Sequence, residues 1–332
     1  MLEHGGNLRD AAARYGIPLA SWLDLSTGIN PHPYPAPALA ADAWHRLPEN
    51  DPALAAAAGL YYGAPCMLPV AGTQAVIQAL PRLRTRSRVV VSAPTYAEHA
   101  HCWRQAGHAV REVPYPLLDQ NVDEAEVMVV CNPNNPTGAL VAPDVLLGWA
   151  ERLAARGGWL VVDEAFGDVV REASVAHRTG QPGLIVLRSV GKFFGLAGLR
   201  LGFVGAEDGI LSRLSEWLGP WSVSGPAQSI GRMALEDRVW QEATYARLQH
   251  AGDRLQRMLA GFGITATGTA LYRWWPEPQA EAFHAHMAAR GIWVRLFPDK
   301  GRGIRIGLPS EESGWQRLEE ALAAWQATSR TA

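Results

Sequence analysis

The sequence is short of cysteine, of net charge and of long apolar runs, and each shortage removes a class of protein. Three cysteines, Cys66, Cys102 and Cys131, are an odd number with no metal-ligand spacing. They exclude a disulfide framework and suit a reducing cytosol. Charged residues are 19% of the chain and the net charge is −2, so there is no electrostatic case for nucleic acid or an acidic membrane. One basic run, Arg82, Arg84, Arg86 and Arg88, is short and falls at a predicted helix end, where it reads as a solvated face. No stretch approaches the ~18–20 consecutive apolar residues of a membrane span. The first residues, Met1-Leu-Glu-His-Gly-Gly-Asn, have neither the basic nor the apolar region of a signal peptide. These absences lead us to expect a cytoplasmic protein without nucleic acid, membrane or metal. The ten histidines are scattered; His99/His101 and His284/His286 read as exposed helix positions rather than ligand pairs.

What the chain does have is apolar bulk. Hydrophobic residues are 48% of 332, enough for a large core and long enough for two domains. The thirteen tryptophans are spread out, as packing residues would be. Residues 1–35 read as an extended arm carrying one short helix, Leu8 to Tyr15, before a segment too proline-rich to continue it. Ala-rich helices are predicted over 38–47 and 52–61. From Leu68 short, continuous apolar runs alternate with helical segments: Leu68-Pro-Val, Arg88-Val-Val-Val-Ser, Glu126 to Cys131, Trp159 to Asp163, Leu184 to Arg188 and Leu201 to Val204. Such runs indicate strands buried on both faces of a mostly parallel sheet. Beyond Glu207 a long helical region leads into an α+β tail. The expected fold is α/β, with a large domain over 36–215 and a smaller α+β domain formed by 1–35 and 216–332.

The chemistry-bearing residues fall just past the ends of these strands, where open α/β sheets bind ligands. Ala71-Gly72-Thr73-Gln74 opens a helix, whose free N–H groups favour a phosphate; any strand-to-helix turn can contain Gly-Thr. Tyr96 follows the next strand and can stack on a flat cofactor or simply pack. Cys131-Asn-Pro-Asn-Asn-Pro-Thr-Gly138 forces turns after a buried strand and can present the Asn135 amide to a phenolate oxygen. Asp163 ends another buried strand. A buried carboxylate needs a partner, and a protonated pyridine nitrogen would serve; Glu164 points to the other face and reads as structural. Lys192 stands among Gly191, Phe193, Phe194 and Gly195, poor company for a solvated charge. An amine in such surroundings loses proton affinity, as Schiff-base formation requires. Ser189 and Arg200 flank it and suit a phosphate. That segment alone is equally compatible with a surface lysine in a glycine-rich loop. Six signals in one order, each after a strand, point to pyridoxal 5′-phosphate (PLP) on Lys192.

Carried on these strings, the chain resembles the PLP-dependent fold-type I (aspartate aminotransferase) superfamily, in its histidinol-phosphate aminotransferase-like branch, over almost its whole length. The resemblance implies Gly72, Thr73, Ser189 and Arg200 on the cofactor phosphate, Tyr96 on the ring and Asn135 on its O3′. It also implies Asp163 on the pyridine nitrogen, Lys192 as the cofactor's lysine and Arg305, in Gly303-Ile-Arg-Ile-Gly307, on the substrate α-carboxylate. Three strings, His4-Gly-Gly-Asn7, Asp24-Leu-Ser-Thr-Gly-Ile-Asn-Pro31 and Pro220-Trp-Ser-Val-Ser224, resemble members that decarboxylate L-threonine O-3-phosphate. For that group His4, Gly5, Gly6, Asn30 and Arg295 are implied around the substrate and its phosphate. Homodimerisation is implied as well.

Three departures bear on the reaction. Phe166 stands where aminotransferases of the branch usually have a tyrosine donating to O3′, which suits a decarboxylase better. Arg46-Leu-Pro-Glu-Asn-Asp51 replaces a Tyr-Pro-Asp string, so no contact to a neighbouring subunit's cofactor is assigned. Ser224 replaces an asparagine. The rival readings are an aminotransferase acting on histidinol phosphate or a related phosphorylated amine, and a non-catalytic protein of the same fold.

Overall fold

The computed structural model describes residues 5–298 and 301–329. The chain divides into two compact units, Pro33–Asn135 with Ala139–Ala243, and Met1–His32 with Pro136–Gly138 and Thr244–Ala332. The larger unit thus runs on past 215, where the sequence reading ended it. The reason is packing. Helix Gly225–Glu236 rests on helix Pro52–Tyr62, and Gln228 Oε1 accepts the Asp51 backbone N–H at 2.9 Å. Ser224 caps that helix by accepting from Ala227 N, which gives the serine at this position a structural use.

The larger unit is built on a seven-stranded sheet: β1 (Met67–Val70), β2 (Arg88–Ala93), β3 (Ala109–Pro114), β4 (Val127–Cys131), β5 (Trp159–Asp163), β6 (Leu184–Ser189) and β7 (Gly202–Gly205). Their order across the sheet is β1-β7-β6-β5-β4-β2-β3. All neighbours are parallel except β7, which runs antiparallel to both β1 and β6. Every residue of β4, β5, β6 and β7 is buried, as a sheet covered on both faces requires. Val89, Val91, Val127, Val129, Val161, Ile185 and Leu187 form one buried face, packed with Ile77, Leu80 and Trp103. The mostly parallel sheet is as the apolar runs predict.

β3 was not among the predicted strands. It is an edge strand, with Arg111, Glu112 and Pro114 along it, and its mixed pattern lacks the apolar run by which the others show themselves. The predicted helix over 38–47 shrinks to Asp42–His45. Proline at 37 and at 48 brackets that stretch and favours extended backbone on its N-terminal side. Helix Pro52–Tyr62 keeps its predicted start because Asp51 caps it and proline stands in the first turn.

In the smaller unit a four-stranded antiparallel sheet has the order Arg295–Phe297, Gly303–Gly307, Tyr272–Trp275, Thr267–Thr269. Helices Ala280–Ala288 and Glu312–Ser329 accompany it. The N-terminal arm is tied to this unit: Leu23–Asp24 pairs in parallel with Ile292–Trp293. Helix Leu8–Tyr15 packs there through Tyr15, edge-on to Trp22 and Trp293. Among the described residues no helix is long and apolar enough to cross a membrane.

Candidate active site

A cavity opens at the carboxyl ends of the strands, lined by Gly72, Thr73, Tyr96, Asn135, Asp163, Ser189, Lys192 and Arg200, and also by Cys131 and Phe166. All eight cofactor positions inferred from the sequence meet here. At one end are Gly72, Thr73, Ser189 and Arg200. The antiparallel β7 makes this possible: it lies beside β1, so Arg200, just before β7, comes back against the turn that follows β1. Gly72 has φ +75°, and a Cβ there would stand 2.8 Å from Arg200 Nη2. Glycine is therefore favoured by the backbone, and its missing side chain leaves room for the guanidinium to lie on it. Arg200 is itself left-handed at φ 55°, with Nη1 donating to Ala197 O at 3.1 Å.

At the other end stands Asp163, the last residue of β5. Its Oδ1 accepts from Ala165 N at 3.0 Å, and its Oδ2 lies 2.9 Å from His99 Nε2. His99 is a correction: it is buried at 2% exposure, not exposed as helix periodicity suggests, whereas His101 is exposed as expected. His284 and His286 are half-buried. Burial disfavours the His99 imidazolium, yet Cys131 and Asp163 outweigh it and push the group up to about 10. His99 thus sits behind Asp163 as a buried partner, on the side of the carboxylate away from Ala165 N.

The walls follow from the turns. Of the Asn-Pro string, Asn132 is spent on Val141, through both its amide N and its carbonyl O. Asn134 holds Pro94 O and Thr95 Oγ1, and Asn135 lines the cavity. Tyr96 donates to Gln74 Oε1 at 3.1 Å. Lys192 is half-buried, its Nζ 5.4 Å from the centre of the Phe166 ring. Phe193 and Phe194 beside it are fully buried, and Phe194 stacks on Trp240 at 5.6 Å. The two rings thus anchor the loop that presents the lysine, which excludes a loose surface loop.

Behind this wall Arg188, 3% exposed, bridges Glu164 at 2.6 Å and Asp168 at 3.2 Å. Glu164 turns away from the cavity, as expected for a structural residue, and also accepts from Ser174 Oγ and Val175 N.

The smaller unit gathers a second set. Arg305 is 4% exposed and donates to Ser26 O at 2.5 Å. Burial, followed by the neighbouring Arg295, pulls its guanidinium down to about 10, so it stays charged at neutral pH and gains from any bound anion. Arg295 pairs directly with Arg305 across the sheet. Gly6 N donates to Ser26 Oγ at 2.8 Å, and a Cβ on Gly5 would stand 2.7 Å from Ser26 O; the glycines let the arm lie against the backbone that holds Arg305. Asn30 is buried and caps His32 N. His4 lies outside the described residues.

The profile of the aminotransferase class I and II family matches residues 21–314, and the chain belongs to that family. Within it, the chain is 52% identical over 327 residues to threonine-phosphate decarboxylase from Pseudomonas aeruginosa, covering 98% of each chain. It is 45% identical to threonine-phosphate decarboxylase from a Sinorhizobium species, over 97% of this chain and 98% of that one. The fold matches the crystal structure of histidinol-phosphate aminotransferase from Sinorhizobium meliloti in complex with pyridoxal 5′-phosphate. There the TM-score is 0.83 at 20% identity, over 98% of this chain and 96% of that one.

The cavity fits PLP on its own terms. It has a cation and a glycine turn at one end, a buried carboxylate paired with His99 at the other, and an amine beside them.

Proposed function

We propose that this chain is a PLP-dependent carboxy-lyase that converts L-threonine O-3-phosphate to (R)-1-amino-2-propanol O-2-phosphate and carbon dioxide, the precursor of the aminopropanol linker of cobalamin. The observation that carries this reading is the 52% identity to a threonine-phosphate decarboxylase across 98% of both chains. Phe166 supports it, since an apolar ring stands beside Lys192 where an aminotransferase of this branch has a hydroxyl.

When bound, PLP supplies an electron sink for the pair released from the broken Cα–C bond. The chain's own residues do the rest. Gly72, Thr73, Ser189 and Arg200 hold the cofactor phosphate, Tyr96 and Asn135 hold the ring, and Asp163, backed by His99, keeps the pyridine nitrogen protonated. Lys192 carries the cofactor and, once displaced by substrate, returns a proton to Cα. Arg305 grips the carboxylate. Arg295, with His4, Gly5, Gly6 and Asn30, takes the substrate phosphate, so that binding energy remote from the reacting bond fixes its orientation.

The test is incubation with PLP and L-threonine phosphate in the absence of any keto acid. Carbon dioxide release is expected; turnover only after addition of 2-oxoglutarate and an amine donor overturns the reading in favour of an aminotransferase. The working form is a homodimer in a reducing cytoplasm. Trp44, Leu47 and Leu60, exposed at 69%, 67% and 74%, support the first, and three free thiols support the second. A monomeric mass by light scattering at micromolar concentration would contradict the dimer.

A further inference from the structure

Two buried side chains beside Asp163, one in the cavity lining and one behind the carboxylate, reach the reaction only through Asp163 or not at all. Cys131 ends β4 and lines the cavity beside Asp163. His99 rises from helix Ala97–Gln105 to the same carboxylate. One donor atom from each of the imidazole, the thiol and the carboxylate lies within 4.8 Å of the others, and all three residues are buried. Among the described residues this is the one such group of histidine, cysteine and acidic side chains.

An imidazole, a thiolate and a carboxylate are the donors zinc takes, and a thiolate selects thiophilic ions over magnesium or calcium. Zinc bonds of ~2.0–2.3 Å in tetrahedral geometry place ligand atoms roughly 3.3–3.7 Å apart, so no pair within 4.8 Å needs to close by much more than roughly an ångström, while the His99–Asp163 pair, at 2.9 Å, opens slightly. His99 Nε2 and Asp163 Oδ2, at 2.9 Å, already share a proton whose place a cation can take. The fourth position would face the cavity, the layout of three protein ligands with one open site.

We propose that the cofactor-free protein holds one thiophilic divalent cation, zinc or cadmium, between His99, Cys131 and Asp163, and that this ion and the cofactor exclude one another. The exclusion follows from charge and space: Asp163 cannot serve both a metal ion and a pyridinium, and the two cations would repel. Only the exclusion rests on the cofactor reading; the cation site stands on the three donors.

The experiment uses full-length protein carrying Cys66→Ser, which removes the exposed thiol, stripped of cofactor and titrated with cadmium. A thiolate-to-cadmium absorption should grow and saturate at one ion per chain. It should be missing from the holoenzyme and from the stripped chain that also carries Cys131→Ala. One equivalent of zinc should prevent recovery of the cofactor's visible absorbance on adding PLP, and a chelator should restore it. In the Cys131→Ala chain, recovery should proceed with zinc present. No absorption band, or a band that persists in Cys131→Ala, overturns the site. A band of equal size in the holoenzyme overturns the exclusion while leaving the cation site standing. Should Cys131→Ala fail to fold, the stripped and holo forms of the Cys66→Ser chain decide by themselves.

Discussion

At the scale of single residues the chain concentrates its amine chemistry. It contains two lysines, Lys192 and Lys300, and one of them lines the cavity. Borohydride reduction in the presence of PLP should therefore add the cofactor's mass to the peptide holding Lys192 and leave the Lys300 peptide unchanged. Lys192→Ala should lose the visible absorbance of the bound cofactor. With its proton-returning group gone, that variant should also lose about 10²–10⁴-fold in carbon dioxide release; an unaltered spectrum would refute the assignment. Arg305→Lys tests the other anchor. It keeps a charge but gives up the planar fork that matches a carboxylate. A charge-assisted hydrogen bond contributes ~1.5–3 kcal/mol, so KM for L-threonine phosphate should rise roughly 10–100-fold. A KM within twofold of the parent would remove Arg305 from the substrate. Lys192 and Asp163 could be picked out by type, one for its apolar neighbours and one for ending a buried run. His99 could not. Its burial comes from Asp163, which local helix periodicity does not see, and the same holds for the position of Cys131 beside both.

At the scale of elements, the ends of β5 and β6 are locked from behind. Arg188 lies beside the cavity-lining Ser189, and its two partners, Glu164 and Asp168, follow Asp163 within a few residues. Removing the guanidinium leaves two buried carboxylates without it, a loss of about 3–5 kcal/mol. Arg188→Leu should accordingly lower the urea midpoint with little change in slope, and an unchanged midpoint would show that the cluster carries no stability. Strands were legible wherever both faces are buried, because a continuous apolar run between turn residues has few other meanings. Edge strand β3 was not, since one open side lets charges and a proline into it. The domain boundary was hidden for a related reason. Helix Gly225–Glu236 reads as amphipathic from either side, and what assigns it to the larger unit is its docking on the helix that begins at Pro52.

For the whole molecule, the cofactor is a ligand of the native state alone. The cradle requires Gly72 and Arg200 in contact, and an unfolded chain does not hold them so. Binding then stabilises the fold by mass action, by about 2.7 kcal/mol at a free concentration a hundred times Kd. Thermal unfolding of the stripped protein should move up with added PLP and keep rising with the logarithm of its free concentration; a midpoint indifferent to PLP would contradict the cradle.

The place of β7 has a temporal meaning too. Although it is the last of the seven strands to be made, it lies between the first and the sixth, and it brings Arg200 with it. A ribosome-bound chain that has emerged only as far as β6 already carries Asp163 and Asn135, but it has no guanidinium against Gly72. On the proposed reading, then, the phosphate cradle is complete only once that final strand has closed the sheet.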